Sequence, residues 1–353
     1  MAKTAKEQPI NNFILQNLRS HPSDIVSFTA AAFNISRQSV WKHLRDLIAH
    51  EQIKGSGSTK NTLYKLIPSV NFQSTYAITP EAAEDKVWRS DISIHLHDLP
   101  KNIYDIYQYG FTEIFNNALD HSEGTTITVK LERYPDIVRL SIEDNGIGIF
   151  NKIQHMNSLD DPIHAVLELS KGKLTTDPKH HTGEGIFFTS RMFDHFYIFS
   201  DRLTFSHNDQ NDTDIILDDK LHPLGISVTS GTCVVMEISV TSQRTSRQIF
   251  DQYATLEDGI PSFDRTIVPV FLAIYGNDNL ISRSQAKRLL ARFERFREVI
   301  LDFDKVDMIG QAFADEIFRV YQNDHPNVHL KYIRANPEIS AMIARAIPPA
   351  LAA

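Results

Sequence analysis

An apolar strand candidate, "DIVRLSIE", runs straight into "DNGIGI" at residues 144–149, and this junction limits the chain more than any other stretch. Asp-Asn-Gly alone would be a turn. Closing an apolar strand and continuing as Gly-x-Gly, it marks backbone that passes close to something, because glycine has no Cβ. About twenty-five residues upstream, "EIFNNALDHS" (113–122) crowds an acid, two amides, another acid and a histidine into one apolar helical pattern. A solvated face is the ordinary reason for such polarity. The glycine box downstream argues instead that this face looks into a site, and four-residue spacing puts Glu113 and Asn117 on it together.

A chain of 353 residues suggests two or three domains. A hydrophobic content of 42% is enough for real cores. The lone Cys233 excludes an internal disulfide framework and a cysteine-based zinc site, and fits a reducing cytosol. The start, "MAKTAKEQPINNF", has no signal-like apolar segment, and no run approaches the roughly 20 apolar residues of a membrane helix. These features predict a soluble, cytoplasmic protein without membrane partners. Charge is uneven: residues 1–67 hold nine basic and four acidic side chains, a net of +5 within a chain of −8, so the remainder carries −13. A basic arm on an acidic body points to nucleic acid.

Within that arm, "INNFILQNLRS", "IVSFTAAAFN" and "ISRQSVWKHLRDLIAHE" read as three helices, the third capped by Ser36 with Val40, Leu44, Leu47 and Ile48 facing inward. "QIKGSGSTKNTLYKLI" reads as two short strands around a Gly/Ser/Lys tip. Three helices and a basic hairpin resemble a winged helix-turn-helix over residues 1–68. The resemblance implies duplex DNA as partner, with Arg37, Gln38, Ser39 and Lys42 at the groove and Lys54 and Lys60 at phosphates. The same architecture also serves protein docking.

Residues 69–100 read as a linker or as a first strand entering the next domain. Beyond them the polar helix, the strands "TTITVKLER" and "DIVRLSIEDNG", the glycine-bearing "HHTGEGIFFTSRMFDHF" and "SGTCVVMEISV" follow in order. The boxes Glu-x-x-x-Asn-Ala, Asp-x-Gly-x-Gly, a second glycine box and Gly-Thr before a strand resemble the GHKL, or Bergerat-fold, ATPases: gyrase B, histidine kinases and serine kinases that act as anti-sigma factors. The resemblance covers roughly residues 100–240, within a domain bounded at 101–245. It implies an α/β sandwich that binds ATP and Mg2+. Asn117 would hold the magnesium, and Glu113 would be general base toward water or a hydroxyl. Asp120 and His121 would order the surroundings, with Asn116 less direct. Asp144 would accept from the adenine amine, Gly146 and Gly148 would admit the base and the lid, and Thr232 would support the adenine side or serve only as a strand residue. Residues 150–185 would be the ATP lid. There Thr182, Gly183 and Gly185 would present backbone to phosphates, and Lys171 or Lys173 would neutralise the γ-phosphate. The second box lacks one of the family's glycines, with Glu184 between the two that remain and expected to point away. His180-His181 have no third ligand at a compelling spacing for a metal.

From 260 to 353 the pattern alternates strand and helix, which predicts a small α/β sheet. "VILDFDKVDMIGQAFADEIF" resembles the STAS domains of anti-sigma-factor antagonists. In that family a phosphorylatable serine falls where this chain has Gly310-Gln311-Ala312, without a hydroxyl, so the domain would be a fixed surface for a partner or for its own ATPase. The fold expected is therefore α/β and multidomain. Three roles stay open: a transcription regulator switched by Mg-ATP, with slow hydrolysis as reset; a serine/threonine protein kinase of the anti-sigma type acting on a partner protein; and a nucleotide-bound scaffold. No dimerisation helix pair bearing a histidine precedes the ATP domain, which argues against a histidine kinase, while a homodimer stays open.

Overall fold

The structure, a computed structural model, describes residues 7–57, 62–159, 162–174, 183–208, 213–218, 228, 230–257, 260–274 and 279–347. The expected Thr182, Lys60, His180 and His181 lie outside them. Helices α1 (Glu7–Asn17), α2 (Ile25–Phe33) and α3 (Arg37–Ala49) precede an antiparallel hairpin of β1 (Ile53–Ser56) and β2 (Leu63–Leu66). Ser36 caps α3, its hydroxyl accepting from the Ser39 amide at 3.1 Å. Ile14, Leu18, Ile25, Val40, Leu44 and Leu47 close a separate small core. Ile48, expected inward, is 42% exposed. Positions 40, 44 and 47 already complete the buried face, and 48 falls at its edge, one residue before the helix ends.

The centre is a seven-stranded sheet in the order β3-β4-β5-β9-β6-β7-β8. Its strands are β3 (Val70–Ala77), β4 (Thr126–Arg133), β5 (Ile137–Asp144), β6 (His195–Ser200), β7 (Leu203–Asn208), β8 (Thr213–Asp218) and β9 (Thr232–Ser239). Residues 70–77 are thus an edge strand and not a linker. The turns after β3, with the short α4 (Glu84–Val87), send Trp88, Ile92 and Leu96 into the main core. Across the sheet lies α5 (Lys101–His121), buried at Ile103, Ile106, Tyr107, Gly110, Phe111, Ile114, Phe115 and Ala118, the stripe of one helix face. Opposite it, Ile127, Val129, Leu131, Val138, Leu140 and Ile142 alternate inward from β4 and β5. Short helices α6 (Ile149–Met156), α7 (Ile163–Lys171), α8 (Gly185–Met192) and α9 (Ser246–Tyr253) complete this layer.

A hairpin of β10 (Ala254–Glu257) and β11 (Ile260–Phe263) leads to a three-stranded parallel sheet, β12 (Arg265–Pro269), β13 (Glu298–Asp302) and β14 (His329–Ile333). Between and after these strands run α10 (Arg283–Leu290), α11 (Gln311–Asp315), which continues through a wider turn at Glu316–Tyr321 into α12 (Gln322–Asp324), and α13 (Pro337–Ala346). Parallel neighbours require such crossovers, so the strand–helix alternation read along the chain becomes sheet order directly. Among the described residues no helix is long and apolar enough to cross a membrane.

Candidate functional site

Helix α5 presents Glu113, Asn117 and His121 to a cavity of about 350 Å³, closed on its other sides by Asp144, Gly148, Lys152, Thr232, Gly183 and Gly185. Asp120 is exposed and does not line it. At about 100° per residue, Asn117 and His121 turn progressively toward the buried Ile114 and Ala118, while Asp120 turns the other way, toward solvent. Asn116 lies outside the cavity for the same reason.

At one end, β5 delivers Asp144 where it pairs with Thr232 of β9. The Gly146 and Thr232 amides both donate to Asp144 Oδ1, at 2.9 and 3.3 Å. Burial nevertheless pushes this carboxyl above its usual range, because those hydrogen bonds offset the loss of water only in part. Thr232 Oγ1 accepts from the Ile149 amide at 3.0 Å, so the hydroxyl ties β9 to the start of α6. Asn145 Oδ1 accepts from the Thr125 and Thr126 amides. Gly146 has a different task from the one expected. It does not line the cavity, and a Cβ there would sit 2.0 Å from the Ser122 carbonyl oxygen, so its bareness lets the loop seat on the end of α5. Gly148 does face the cavity.

At the other end, Gly185 opens α8 against Glu113. A Cβ at Gly185 would lie 2.0 Å from Glu113 Oε2, so only glycine lets the carboxylate approach the first turn of this helix, the end whose exposed amides attract anions. Glu184 lies outside the cavity, in a second hollow beyond Glu113. Burial and the nearby charges of Glu113 and Glu184 raise the Tyr109 hydroxyl well above its ordinary pKa.

Lys152 was not expected. Its Nζ donates to the His121 carbonyl at 2.7 Å and to Glu123 Oε1 at 3.0 Å, and the side chain lines the cavity. Ile149, Lys152, Ile153 and Met156 all line it, and their i, i+3, i+4, i+7 spacing was the available signal.

The two lysines expected at a γ-phosphate are elsewhere. Lys171, at the end of α7, has a fully buried side chain. Its Nζ donates to Glu168 Oε1 at 2.6 Å and to the carbonyls of Arg288 and Ala291 at 3.3 and 3.0 Å. Burial lowers its pKa to about 8, with Glu168 opposing the shift. Lys173 Nζ donates to Asp264 Oδ1 at 3.2 Å and to the Arg295 carbonyl at 2.9 Å. Arg292 completes the junction, reaching Glu168 Oε2 and the Glu168 carbonyl, both at 2.6 Å, and the Lys173 carbonyl at 3.1 Å. The last turn of α7 is an anchor on the C-terminal unit because desolvated cations there find carbonyl and carboxylate partners. The same segment borders the cavity through Leu169 and Leu174, and the Leu174 amide donates to the Gly183 carbonyl at 3.1 Å.

A divalent cation and a nucleotide fit the donor set. Asn117 and Glu113 supply hard oxygens. Among the described residues no cluster of three His, Cys, Asp or Glu side chains forms a closed metal site, so a cation at Asn117 would take its other ligands from phosphate and water.

On the N-terminal unit, Arg37, Gln38, Lys42 and Lys54 are exposed and Ser39 is half-buried. The structure therefore leaves the first four side chains accessible on α3 and the hairpin.

Residues 105–204 match the family model described as histidine kinase-, DNA gyrase B- and HSP90-like ATPase. Residues 285–340 match a STAS-like domain of unknown function (DUF4325). The solved B subunit of DNA gyrase from Myxococcus xanthus is similar with a TM-score of 0.22 and 8% identity, over 44% of this chain and 42% of that one. No curated protein matches the chain. The chain carries a GHKL-type ATPase domain, and a STAS-like domain of the DUF4325 family follows it.

Proposed function

We propose that this protein is an ATP-operated regulator in which nucleotide in the GHKL cavity resets the grip between lid and STAS-like domain and, through it, the N-terminal unit. One observation carries the reading: Leu169 of α7 and Leu174 line the cavity while Lys171, Lys173 and Glu168, on the same segment, are bonded to Arg288, Ala291, Arg292, Arg295 and Asp264. A ligand that favours one position of this segment necessarily biases the contact on its other side. Adenine would bind at Asp144 and Thr232, and phosphates would run toward Asn117 and the amides of α8. Glu113 would take a proton from the attacking oxygen. Magnesium, bound at Asn117, would supply charge neutralisation for the phosphates.

The N-terminal unit would bind duplex DNA through Arg37, Gln38, Ser39, Lys42 and Lys54. The net charge of +5 and the exposure of four of these side chains support that assignment. Binding that falls steeply with salt and is lost in Arg37→Ala/Lys42→Ala checks it; salt-insensitive or absent binding would leave a protein-docking module. Calorimetry with Mg-ATP tests the core of the reading. Binding about ten- to a hundredfold weaker in Asp144→Ala is expected, together with nucleotide-dependent change in hydrogen exchange over residues 283–296. Binding with no change there would remove the coupling. Labelled ATP then separates a hydrolysing switch, which releases phosphate, from a kinase, which labels a partner protein.

A further inference from the structure

We propose that the chain phosphorylates itself on Ser262. The inference rests on the nucleotide reading above. Glu113 lines two spaces at once: the 350 Å³ cavity, and a hollow of about 230 Å³ on its far side. That hollow is lined by Tyr109, Glu184, Gly185, Phe188 and, from the hairpin, Ser262. Ser262 is half-buried on β11, paired with Thr255 of β10. Its neighbour Phe263 holds the hairpin down, packed on Phe187, Phe188 and Phe296 with ring centroids 4.6, 4.8 and 5.5 Å away.

The geometry sets which end of a nucleotide meets this hollow. The adenine end is fixed by Asp144, whose loop is bonded to the end of α5 by the Ile147 amide and Ser122 carbonyl, 3.0 Å apart. Glu113 stands nine residues earlier on that helix, about 13 Å back at 1.5 Å per residue. A triphosphate laid along α5 thus brings its terminal phosphoryl to Glu113 and the N-terminus of α8; Ser262 lines the hollow on the other side of that carboxylate, which swings aside to join the two spaces when the serine reaches the phosphoryl. In the step, Ser262 Oγ forms a bond to the γ-phosphorus and the bond from that phosphorus to the β–γ bridging oxygen breaks. The electron pair leaves on ADP, and the hydroxyl proton passes to Glu113.

The product has a mechanical consequence. A phosphoserine of charge near −2 beside Glu113 and Glu184 is repelled by both, and the hairpin is driven out. Phe263 then leaves the lid. A Cβ on Gly172 would lie only 3.0 Å from Phe263, and Lys173 Nζ sits 5.5 Å from its ring centroid. Transfer would therefore loosen the lid from the STAS-like domain after one turnover.

The test uses the full chain with Mg2+ and γ-labelled ATP, followed by peptide mass spectrometry. Label on Ser262 is expected. Ser262→Ala should lose it and Ser262→Thr should carry it on the threonine, which separates loss of the acceptor from loss of the fold. Glu113→Gln, mixed with unlabelled wild type, should acquire none. Label on Tyr109 or elsewhere, label on the Glu113→Gln chain in the mixture, or release of free phosphate with no protein label would each overturn the proposal while nucleotide binding stands. Absence of calorimetric heat with Mg-ATP would overturn it together with the reading beneath it.

Discussion

The two walls of the cavity are built in different ways. The rear wall, α5 with the ends of β5 and β9, rests on backbone: Asp144 takes the Gly146 and Thr232 amides, and Thr232 takes the Ile149 amide. The front wall, α7 and residues 172–174, packs through the buried Ala165, Val166, Leu167 and Leu169 and is tied by charged side chains to the STAS-like domain. Sheet and helix hold the first in place whatever the rest of the chain does. The second depends in addition on ion pairs and hydrogen bonds to residues far downstream. Under the proposed function, a rigid binding surface beside a wall tied to another domain would separate affinity from response.

The largest expected effect attacks the conditional wall. Glu168, Lys171 and Arg292 are nearly or fully buried at their side chains, and breaking a buried pair by removing one partner costs about 3–5 kcal/mol. Lys171 remains to compensate Glu168 in Arg292→Ala, so about 3 kcal/mol of local stability should go. Hydrogen exchange over residues 163–174 and 283–296 measures it. A loss below about 1 kcal/mol would mean the junction behaves as a solvated surface pair. Nucleotide affinity should change far less than this local stability. If Arg292→Ala weakened binding as strongly as a rear-wall substitution, the division into two walls would fail.

The rear wall should respond the other way. Asp144→Ala removes the acceptor expected at the adenine amine, and hydrogen bonds to charged groups contribute about 1.5–3 kcal/mol. Calorimetry should show binding weaker by about ten- to a hundredfold, with hydrogen exchange at 283–296 in the nucleotide-free chain unchanged. Equal affinity in the variant would place adenine elsewhere.

The same division decides what could be read from residue order. The rear wall was readable through the boxes that resemble the GHKL ATPases, and the structure joins those boxes by short-range contacts and sheet register: Asp144 reaches Gly146 two residues on and Thr232 directly across the strand pair. Strand–helix alternation likewise foretold a small C-terminal α/β sheet, whose strands the structure shows to be parallel. Gly146 was legible as a glycine with a close approach, but what it approaches, the Ser122 carbonyl, depends on how the loop seats on α5. Asp120 shared the polar stripe with Asn117, and only packing decides which edge of a stripe is covered. Lys171 and Lys173 look like lid lysines beside a phosphate site. The carbonyls that hold Lys171 are 117 and 120 residues downstream, in a different domain, and no local pattern points to them.

The smallest effect is a dependence on pH that sharpens the contrast, because the front wall contains a fully buried lysine whose titration is shifted toward neutrality. Burial lowers Lys171 from 10.5 to about 8. The folded chain then releases this proton near pH 8 and the unfolded chain near 10.5, so between them the unfolded state binds more protons. Stability should rise with pH in that window, by at most about 1.4 kcal/mol per unit, and the gain should vanish as pH falls below 8. Cys233 acts oppositely: burial lifts its thiol from 9 to about 12, so above pH 9 its ionisation favours the unfolded chain. Lys171→Met keeps the length of the side chain and deletes the titration. Thermal unfolding of both chains at about pH 7.5 and 9 isolates the lysine, since Cys233 is common to both. The wild type should gain stability over that step relative to Lys171→Met. Parallel changes in the two would mean that Lys171 stays protonated in the fold, and that its carbonyl and carboxylate partners replace water fully enough to make the front wall as unconditional as the rear.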